Sequence, residues 1–526
     1  MPRAWLRRHA LRLAVATLTP RISALLHKAY PTFVVALAAG VIAAPGLAAP
    51  VDSSSLYDGG ITSSAAAFIR HGQIPYRDFW LLYGPLASYL AAVLTAVFGA
   101  HLLVMRLAGL VLVMFTAGVG YRLIRVRAPG IRGGFIAVPA AVLPAVWLGL
   151  DFSPWQLSIA LALLALDVSL RGSSRSLLVA GAIVGIAALA RLDVGAYALI
   201  AIVVQSRSLR PAIGAAAMFA PVALVFLMFV PVEMLWQQLI WYPLAGPQIF
   251  RTFPGPTLVG LLTGENPVAW ALYYVPVILI LGAVVRRLVT GTIPLPFVGL
   301  TALALLCRLQ TVGRADEAHA AQAFGVGLLL AAYVIGEPST FPRRLAVAAA
   351  MTVPCAITIL PLGWLATPPS DYGRALAEAV SIVQSRTAPN EPIFVGEVTN
   401  GRVYLNPMVV YFLADRPAGV FDTMYNPGVT TTAATQQRMA DDLASRHVRY
   451  LVLDRLFAGC YETVNASALP GSRVLDEAIA RDYEVVADLG AFVIMALRSS
   501  HAPPVPTTVW VDPNPGPRMP LLTCDR

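Results

Sequence analysis

Apolar and polar positions alternate in this chain on the scale of whole helices. Long apolar runs, most of them able to cross a hydrocarbon core of about 30 Å, follow one another from residue 31 to residue 366. We predict spans at residues 31–50, 82–98, 102–121, 134–150, 154–170, 176–206, 211–231, 268–285, 291–307, 319–336 and 344–366. The pattern predicts an α-helical polytopic membrane protein with about 11 to 13 transmembrane helices.

The number of spans depends on the run 176–206, which Arg191 and Asp193 divide into two pieces that are each short for a span. Counting this run once gives about 11 spans, and counting it twice gives about 12. We favour an odd count, partly because of a resemblance described below. With these spans, an odd count places a group of arginines on the outer face, against the positive-inside tendency. The group consists of Arg122, Arg125, Arg127 and Arg132.

The basic N-terminus sets the expected orientation. Residues 1–30 carry six bases and no acid, which predicts that they lie in the cytoplasm. The first span then places residues 51–81 in an outer loop, and the membrane region extends over residues 31–369. With an odd number of spans, the hydrophilic segment after it lies on the outer side as well.

Composition agrees with the membrane class. The 526 residues are 57% hydrophobic and only 13% charged, and the mean hydropathy is +0.70, which excludes an ordinary soluble protein. The net charge is +10, but the bases lie at the ends of apolar runs as membrane anchors do, so nucleic acid is not an expected partner. Because Lys28 is the only lysine, a phosphate contact would have to come from arginine.

The chain changes character near residue 370. Short apolar runs alternate with amphipathic stretches over residues 370–500, which predicts an extracytoplasmic α/β domain, and the Pro-rich residues 501–526 are expected to be irregular. Cys460 and Cys524 fall in this part and could form a disulfide in an oxidising compartment, although the sequence does not settle their pairing. Cys307 and Cys355 lie in apolar runs and are expected to be core residues.

The stretch YDGGITSSAAAFIRHGQIPYRDFWLLYGP, from Tyr57 to Pro85, is the first candidate for chemistry. It is a polar island that carries Asp58 and Asp78 between two apolar runs. Asp151 directly follows another apolar run, in GLDFSPWQ. Carboxylates beside a bilayer are costly and often mark function, although these could also be solvated acids paired with nearby arginines.

Two further segments combine polar and aromatic side chains. In RLQTVGRADEAHAAQ, Arg314 could bind a phosphate while Asp316 orients His319; the alternative is a charged loop with an incidental histidine, and the ligands are too few for a metal site. The segment WQQLIWYPLAGPQIFRTFPGP, with Arg251 as its only charge, is typical of a chain at the membrane interface. Arg251 there could bind a lipid phosphate or only anchor the chain.

The stretch from Tyr57 to Pro85, followed by LASYLAAVLTAVFG and RLAG, resembles the start of GT-C superfamily glycosyltransferases, in particular bacterial relatives of aminoarabinose transferase and protein O-mannosyltransferases. In that family an acid of the first outer loop lies at the active site, and Asp58 is the matching position. Asp151 resembles the second acidic position, with Asp78 as another candidate. Where relatives often have Lys-Pro-Pro, this chain has Tyr83, Gly84 and Pro85.

The resemblance implies a glycosyltransferase of the bacterial inner membrane that moves a sugar from a polyprenyl-phosphate donor to a cell-envelope acceptor, which is a glycan, lipid or protein. Asp58 would act as the base in an inverting reaction. Without the lysine, Arg77, Arg251 or Arg314 would have to bind the phosphate. No cofactor is certain, and participation of a divalent metal stays open. A transporter or flippase for lipid-linked sugars, or a non-catalytic scaffold, would also place such charges at the membrane.

Overall fold

The structure is a computed structural model, and it is mostly helical. It describes residues 29–49, 51, 53–244, 255, 257, 267–291, 295–315, 317–334, 371–455, 457–462, 469–506, 509 and 522–524. The helices before residue 371 are α1 (Ala29–Ala48), α2 (Ser53–Arg70), α3 (Pro85–Phe98), α4 (Leu102–Ile124), α5 (Ile131–Leu148), α6 (Pro154–Ser169), α7 (Ser174–Ala190), α8 (Leu192–Ser206), α9 (Arg210–Leu227), α10 (Val232–Trp236), α11 (Pro267–Thr290), α12 (Leu295–Cys307), α13 (Gln310–Gly313), α14 (Glu317–Leu329) and α15 (Ala331–Val334).

The membrane class predicted from the sequence is confirmed. Four helical segments of the described chain are long and apolar enough to cross a membrane, namely α1, α4, α9 and Leu295–Val312. Shorter apolar helices pack between them, and large apolar side chains such as Phe33, Val111 and Leu224 remain exposed on the outside of the bundle. Such a surface suits contact with lipid chains. The span predicted at 344–366 lies outside the described residues.

The ambiguous run 176–206 consists of two helices. Helix α7 ends at Ala190 and α8 begins at Leu192, with Arg191 between them in an extended backbone conformation. The Asp193 carboxylate accepts a hydrogen bond from the Val194 backbone N–H in the first turn of α8, where the end of the helix leaves donors unpaired. The two polar residues therefore mark a real break, and of the two interpretations that the sequence left open, the one with two helices is right.

The start of α6 and the end of α7 lie at the same end of the bundle. There the Ser158 hydroxyl donates a hydrogen bond to the Ala187 carbonyl at 3.2 Å. Helix α4 begins at this end too, since the Phe152 N–H donates to the Met105 carbonyl. Helix α1 finishes here, where Arg106 donates to the Leu47 carbonyl at 3.0 Å. We call this the aspartate end, because it holds Asp151.

Helix α3 does not cross the membrane, which corrects the span predicted at 82–98. Tyr83, just before α3, lies under Arg191 at the aspartate end, and α4, which follows α3, begins at that same end. Both ends of α3 are therefore on one side. Its 14 residues would in any case reach only about 21 Å, less than a hydrocarbon core. Apolar composition alone cannot distinguish a short span from a helix that packs under a domain.

Because α3 stays on one side, the group Arg122, Arg125, Arg127 and Arg132 no longer conflicts with the positive-inside tendency. Without a span at 82–98, α4 runs from the aspartate end to the opposite end, where Arg122 binds Asp167 at 2.6 Å. The connections at this arginine end are strongly basic, and Asp167 is the one acid there among the described residues. Their arginines are Arg122, Arg125, Arg127, Arg132, Arg171, Arg175, Arg207, Arg210 and Arg286.

The chain after residue 370 forms a small sheet covered by helices, as the sequence predicts. Its helices are α16 (Asp371–Arg386), α17 (Val409–Ala414), α18 (Ala433–Ser445) and α19 (Val474–Asp482). Its strands are β1 (Ile393–Glu397), β2 (Tyr450–Asp454), β3 (Cys460–Glu462), β4 (Tyr483–Asp488), β5 (Phe492–Leu497) and β6 (Leu522–Cys524). The main sheet has the order β1-β2-β5-β4, in which β1 and β2 are parallel and the other pairs antiparallel.

A second, two-stranded sheet ties the C-terminus to the domain. Strand β6 lies within the Pro-rich segment that was expected to be irregular, and it pairs with β3 so that Cys524 is directly opposite Cys460. Cys460 is disulfide-bonded, whereas Cys307 is a free, buried thiol. The proline-free LLTC sequence explains why this short part of the tail can form a strand.

Candidate active site

Asp58 lies on a helix rather than in a loop. Helix α2 covers residues 53–70, so the polar island predicted as an outer loop is a helix followed by a turn. Two glycines next to Asp58 let this helix touch both halves of the protein. A Cβ at Gly59 would lie 2.5 Å from Asp151 Oδ2, and one at Gly60 would lie 2.7 Å from the Val409 nitrogen. Asp58 itself is exposed.

The Asp151 carboxylate is buried at the same place. Its side chain is 4% exposed, and its Oδ1 lies 3.7 Å from Nε of Arg106, which is 8% exposed. Arg106 also fixes the end of α1 through the Leu47 carbonyl, so the carboxylate is held between α1, α2 and α4. Two of the predicted acids, Asp58 and Asp151, are therefore brought together at one end of the bundle. A buried carboxylate needs such a cationic partner to remain charged.

A largely buried arginine, Arg191, lies at this same end. Its guanidinium carbon is 5.2 Å from the ring centre of Tyr83 and 5.0 Å from that of Trp155, so the two rings flank the charge. Nε donates to Asp193 Oδ1 at 2.9 Å, and Gln310 donates to Asp193 Oδ2 at 2.7 Å. The two Nη groups of Arg191 make no hydrogen bond within the described residues. Within this part of the chain they are open to an anionic ligand.

Asp78 and Arg77 bind each other and stabilise the turn after α2. Asp78 Oδ2 accepts hydrogen bonds from the Ile74 backbone N–H at 2.7 Å and from Arg77 at 2.8 Å. Partial burial by itself would raise the pKa of Asp78, but these hydrogen bonds and the nearby arginines lower it below the ordinary value. Asp78 is therefore held ionised in a structural contact, and no described contact joins it to Asp58 or Asp151.

The Arg314 guanidinium binds the Glu462 carboxylate in a two-point contact. Its Nη1 donates to Glu462 Oε2 at 2.9 Å, and its Nη2 donates to Oε1. Both side chains are largely buried, at 14% and 6% exposure. His319 lies in α14 and is half-buried. Asp316 and Arg251, the other residues predicted around the phosphate, lie outside the described residues.

Two hydrogen bonds from one glutamine side chain hold the tight turn after α2. Gln238, in the segment after α10, donates to the Tyr76 carbonyl and accepts from the Leu81 N–H, at 3.0 and 2.9 Å. Trp236, the last residue of α10, and Trp241, which follows it, are 58% and 50% exposed, as expected for side chains at a membrane interface. The interface segment predicted from the sequence therefore supports the loop that leads from α2 to Tyr83.

The other face of α2 packs on the C-terminal domain. Phe68 makes an edge-to-face contact with Tyr411 at a centroid distance of 5.0 Å, and the Ser64 hydroxyl donates to the Met408 carbonyl. At the end of α2, Arg70 and His71 both bind the Asp415 carboxylate. The hydrogen bond to Asp415 raises the pKa of His71. The helix that carries Asp58 is thus fixed between the bundle and the domain.

The described residues contain no group of three or more His, Cys, Asp or Glu side chains placed to hold a metal. Of the predicted acids, Asp58 and Asp151 lie near each other, because α2 packs on Asp151 at Gly59. Arg106 already occupies one side of Asp151. We therefore assign no metal ligands.

Two residues that the sequence did not single out contribute to the site, Arg106 and Glu462, and Arg191 was singled out as part of a break between helices and not as a binding residue. Arg106 and Arg191 carried a signal, because each is a charge within an apolar run. A charge in that position needs a partner or a ligand. Glu462 carried no such signal, since it is one of many acids in the C-terminal domain.

No protein-family model matches the chain. No curated protein matches it either. Solved structures do resemble it. Over 91% of this chain and all of the other, it matches ArnT from Cupriavidus metallidurans bound to undecaprenyl phosphate, with a TM-score of 0.55 and 12% identity. It matches the oligosaccharyltransferase AglB from Archaeoglobus fulgidus, in complex with an inhibitory peptide and a dolichol-phosphate, over 88% of this chain and 74% of the other, with a TM-score of 0.50 and 14% identity. At these identities the likeness concerns the fold alone, and the chain has a fold similar to those of ArnT and AglB.

Proposed function

We propose that this protein is a membrane glycosyltransferase that transfers a sugar from a polyprenyl-phosphate donor to an acceptor of the cell envelope. The observation that carries the proposal is the packing of the helix that bears Asp58 against Asp151, at Gly59, at one end of a GT-C-like bundle. Similar folds occur in ArnT bound to undecaprenyl phosphate and in AglB with a dolichol-phosphate, which supports a lipid-phosphate donor here. The acceptor could be a glycan, a lipid or a protein.

We place the active site on the extracytoplasmic face of a bacterial inner membrane. The connections at the arginine end carry the positive charge, which by the positive-inside rule favours the cytoplasm for that end. Asp58, Asp151 and the C-terminal domain would then lie on the opposite side. The disulfide at Cys460 supports this orientation, because such bonds persist outside the reducing cytoplasm. The proposed regions are residues 31–369 in the membrane and 370–500 outside it.

Asp58 serves as the general base in this proposal. Its exposed carboxylate takes the proton of an acceptor hydroxyl, and the hydroxyl oxygen attacks the anomeric carbon of the donor. The bond from this carbon to the phosphate oxygen breaks, and polyprenyl phosphate leaves with the bonding electrons. A single displacement of this kind inverts the anomeric centre, unlike a retaining mechanism with a covalent intermediate. Asp151 is the proposed second acidic residue of the site.

Arg191 is the phosphate-binding residue that the geometry supports best. Its Nη groups are available, and Tyr83, which flanks it, stands where relatives often have a lysine. A fixed guanidinium near a departing phosphate stabilises the charge that develops there. Arg77 and Arg314 were proposed for this role from the sequence, but both bind carboxylates through Nη groups, whereas Arg191 binds Asp193 through Nε. Arg251 remains a candidate from the sequence alone.

The proposal is tested by incubating purified protein in lipid nanodiscs with a panel of labelled polyprenyl-phosphate sugars and candidate acceptors. We expect release of polyprenyl phosphate and formation of an inverted glycoside with one donor. Protein that moves a labelled lipid-linked sugar across a vesicle membrane without cleaving it would instead be a transporter or flippase. Binding of a donor without cleavage or movement would indicate a scaffold.

A further inference from the structure

We propose that Glu462 is a positioning residue, which acts from the C-terminal domain to fix Arg314 and, through it, the Asp193–Arg191 pair of the donor site. The inference rests on the proposed function in assigning Arg191 to the donor phosphate. It assigns a role to a strand of the C-terminal domain that lies far from Arg191 along the chain. Three contacts in series carry it.

The first contact is the pair Arg314–Glu462, which joins residues 148 positions apart. Both carboxylate oxygens accept a hydrogen bond, so the contact fixes the direction of the guanidinium as well as its distance. Because both side chains are largely buried, removal of the carboxylate would leave an arginine charge without this compensation. Arg314 and the backbone that carries it would then have to move.

The second contact anchors Glu462. Strand β3 has only three residues, Cys460 to Glu462, and a strand so short has little stability by itself. Its partner is β6, and the register places Cys460 opposite Cys524 and Glu462 opposite Leu522. The disulfide at Cys460 lies two residues from Glu462 and restricts the motion of the strand. Glu462 is therefore presented to Arg314 from a covalently anchored strand.

The third contact leads to Arg191. Arg314 directly follows α13, a single helical turn that begins at Gln310. A single turn moves as a unit, so a shift of Arg314 displaces Gln310. Gln310 donates to Asp193 Oδ2 at 2.7 Å, and Asp193 Oδ1 accepts from Arg191 Nε at 2.9 Å. The donor arginine is thus oriented by a carboxylate whose second oxygen is held by α13.

The series predicts that the C-terminal domain affects donor binding without touching the donor. When Glu462 is intact, Gln310 of α13 fixes the Asp193 carboxylate, and Asp193 orients the Arg191 guanidinium toward the donor phosphate. When the carboxylate is lost, we expect Arg191 to sample other orientations. Misplacement of a binding group by about 1 Å can cost about tenfold or more in function.

The test compares Glu462→Gln, Glu462→Asp and the control Glu484→Gln in full-length protein in nanodiscs. Glu484 is a matched acid of the same domain, with an exposed ion pair to Arg498 at 3.6 Å. We expect Glu462→Gln to raise the KM for the polyprenyl-phosphate sugar about tenfold while kcat changes less, with partial rescue by the conservative Asp variant. An unchanged donor KM, or a loss confined to kcat, would overturn the proposal.

A second measurement does not depend on activity. Hydrogen exchange at residues 308–314 should become faster in Glu462→Gln and stay as in wild type in Glu484→Gln. Reduction of the disulfide, or Cys460→Ser, should shift exchange in the same direction. Unchanged exchange in Glu462→Gln would refute the positioning role, even if wild-type transfer is observed. If wild type transfers no sugar but exchange responds as expected, the proposed function fails while the mechanical link stands.

Discussion

The backbone of Gly59 rests against the carboxylate of Asp151, so closely that a Cβ at this position would lie 2.5 Å from Oδ2. Side-chain atoms do not approach to such a distance without displacing one another. The contact brings the part of α2 that carries Asp58, the residue before Gly59, close to the second acid of the site. The close approach of α2 to Asp151 therefore depends on a residue that has no side chain.

Replacing Gly59 by alanine should disturb the site more than the fold. The added methyl group must displace either α2 or the Asp151 carboxylate, and overpacking of this kind costs about 1–3 kcal/mol. We expect transfer activity to fall about tenfold or more in steady-state assays with a polyprenyl-phosphate sugar. Gly134→Ala is the control, because a Cβ there would meet Val35 at an ordinary 3.5 Å. Equal activity of the two variants would contradict this role of Gly59.

Arg191 should affect the donor more than the acceptor. Arg191→Gln removes the charge, and Arg191→Lys keeps the charge but loses the planar fork that binds a phosphate at two points. We expect both variants to bind polyprenyl phosphate about tenfold or more weakly, and the lysine variant to recover only part of the loss. Binding is measured by titration in nanodiscs. Arg210→Gln, an exposed arginine at the arginine end, should bind as wild type does; an equal loss there would indicate a general charge effect.

The contact between His71 and Asp415 should make the docking of α2 depend on pH. The hydrogen bond raises the pKa of His71 above its ordinary value of 6.5 and lowers that of Asp415 below 3.8, with Arg70 also favouring the charged Asp415. The stability from His71 is therefore complete below pH 6.5 and is lost as the pH rises through the raised pKa. The stability from Asp415 is complete above pH 3.8 and is lost as the pH falls through the lowered pKa.

Hydrogen exchange at the end of α2 should accordingly be slower at pH 6 than at pH 8, after correction for the intrinsic pH dependence of exchange. His71→Gln should abolish most of this difference, because its side chain does not titrate. A corrected difference that persists in His71→Gln would show that another group is responsible.

Glu397 should destabilise the C-terminal domain at high pH. It is fully buried at the end of β1, in register with Asp454 at the end of the parallel strand β2. Burial first, and then the charges of Asp454 and Asp476, raise the pKa of Glu397 well above 4.5. Its contribution to stability is complete below pH 4.5 and is lost as the pH rises through the raised pKa.

Glu397→Gln keeps the shape of the side chain and removes the titration. We expect this variant to melt at a higher temperature than wild type at pH 8, by about 2–4 °C for each kcal/mol gained, and near the wild-type temperature at pH 5. Thermal unfolding at the two pH values measures this. A uniform loss of stability at both pH values would mean that Glu397 is ionised and paired in the native state.

The sequence predicts the class and the C-terminal domain well, because long apolar runs and alternating short strands are strong signals. It fails at α3, since that helix has the composition of a span but packs beneath a domain. The error reverses the side assigned to Arg122 and its neighbours. Only the contacts at both ends of α3 reveal it.

The site is predictable in part. Asp58 and Asp151 attract attention as isolated carboxylates beside apolar runs, and the structure brings them together. Asp78 has the same local signal but is used to close a turn with Arg77. The Arg191 guanidinium is flanked by Tyr83 and Trp155, and its partner Asp193 is bound by Gln310. These three residues come from distant segments, so the surroundings of Arg191 cannot be predicted from neighbouring positions in the sequence.

The central claim is that Asp58 is the base of a sugar transfer from a polyprenyl-phosphate donor. The most direct measurement is the rate of single-turnover transfer by wild type and by Asp58→Asn, with donor binding measured on the same samples. We predict that Asp58→Asn binds the donor as wild type does but transfers the sugar about 100-fold or more slowly, as expected for loss of a general base. Wild-type transfer by Asp58→Asn would contradict the account.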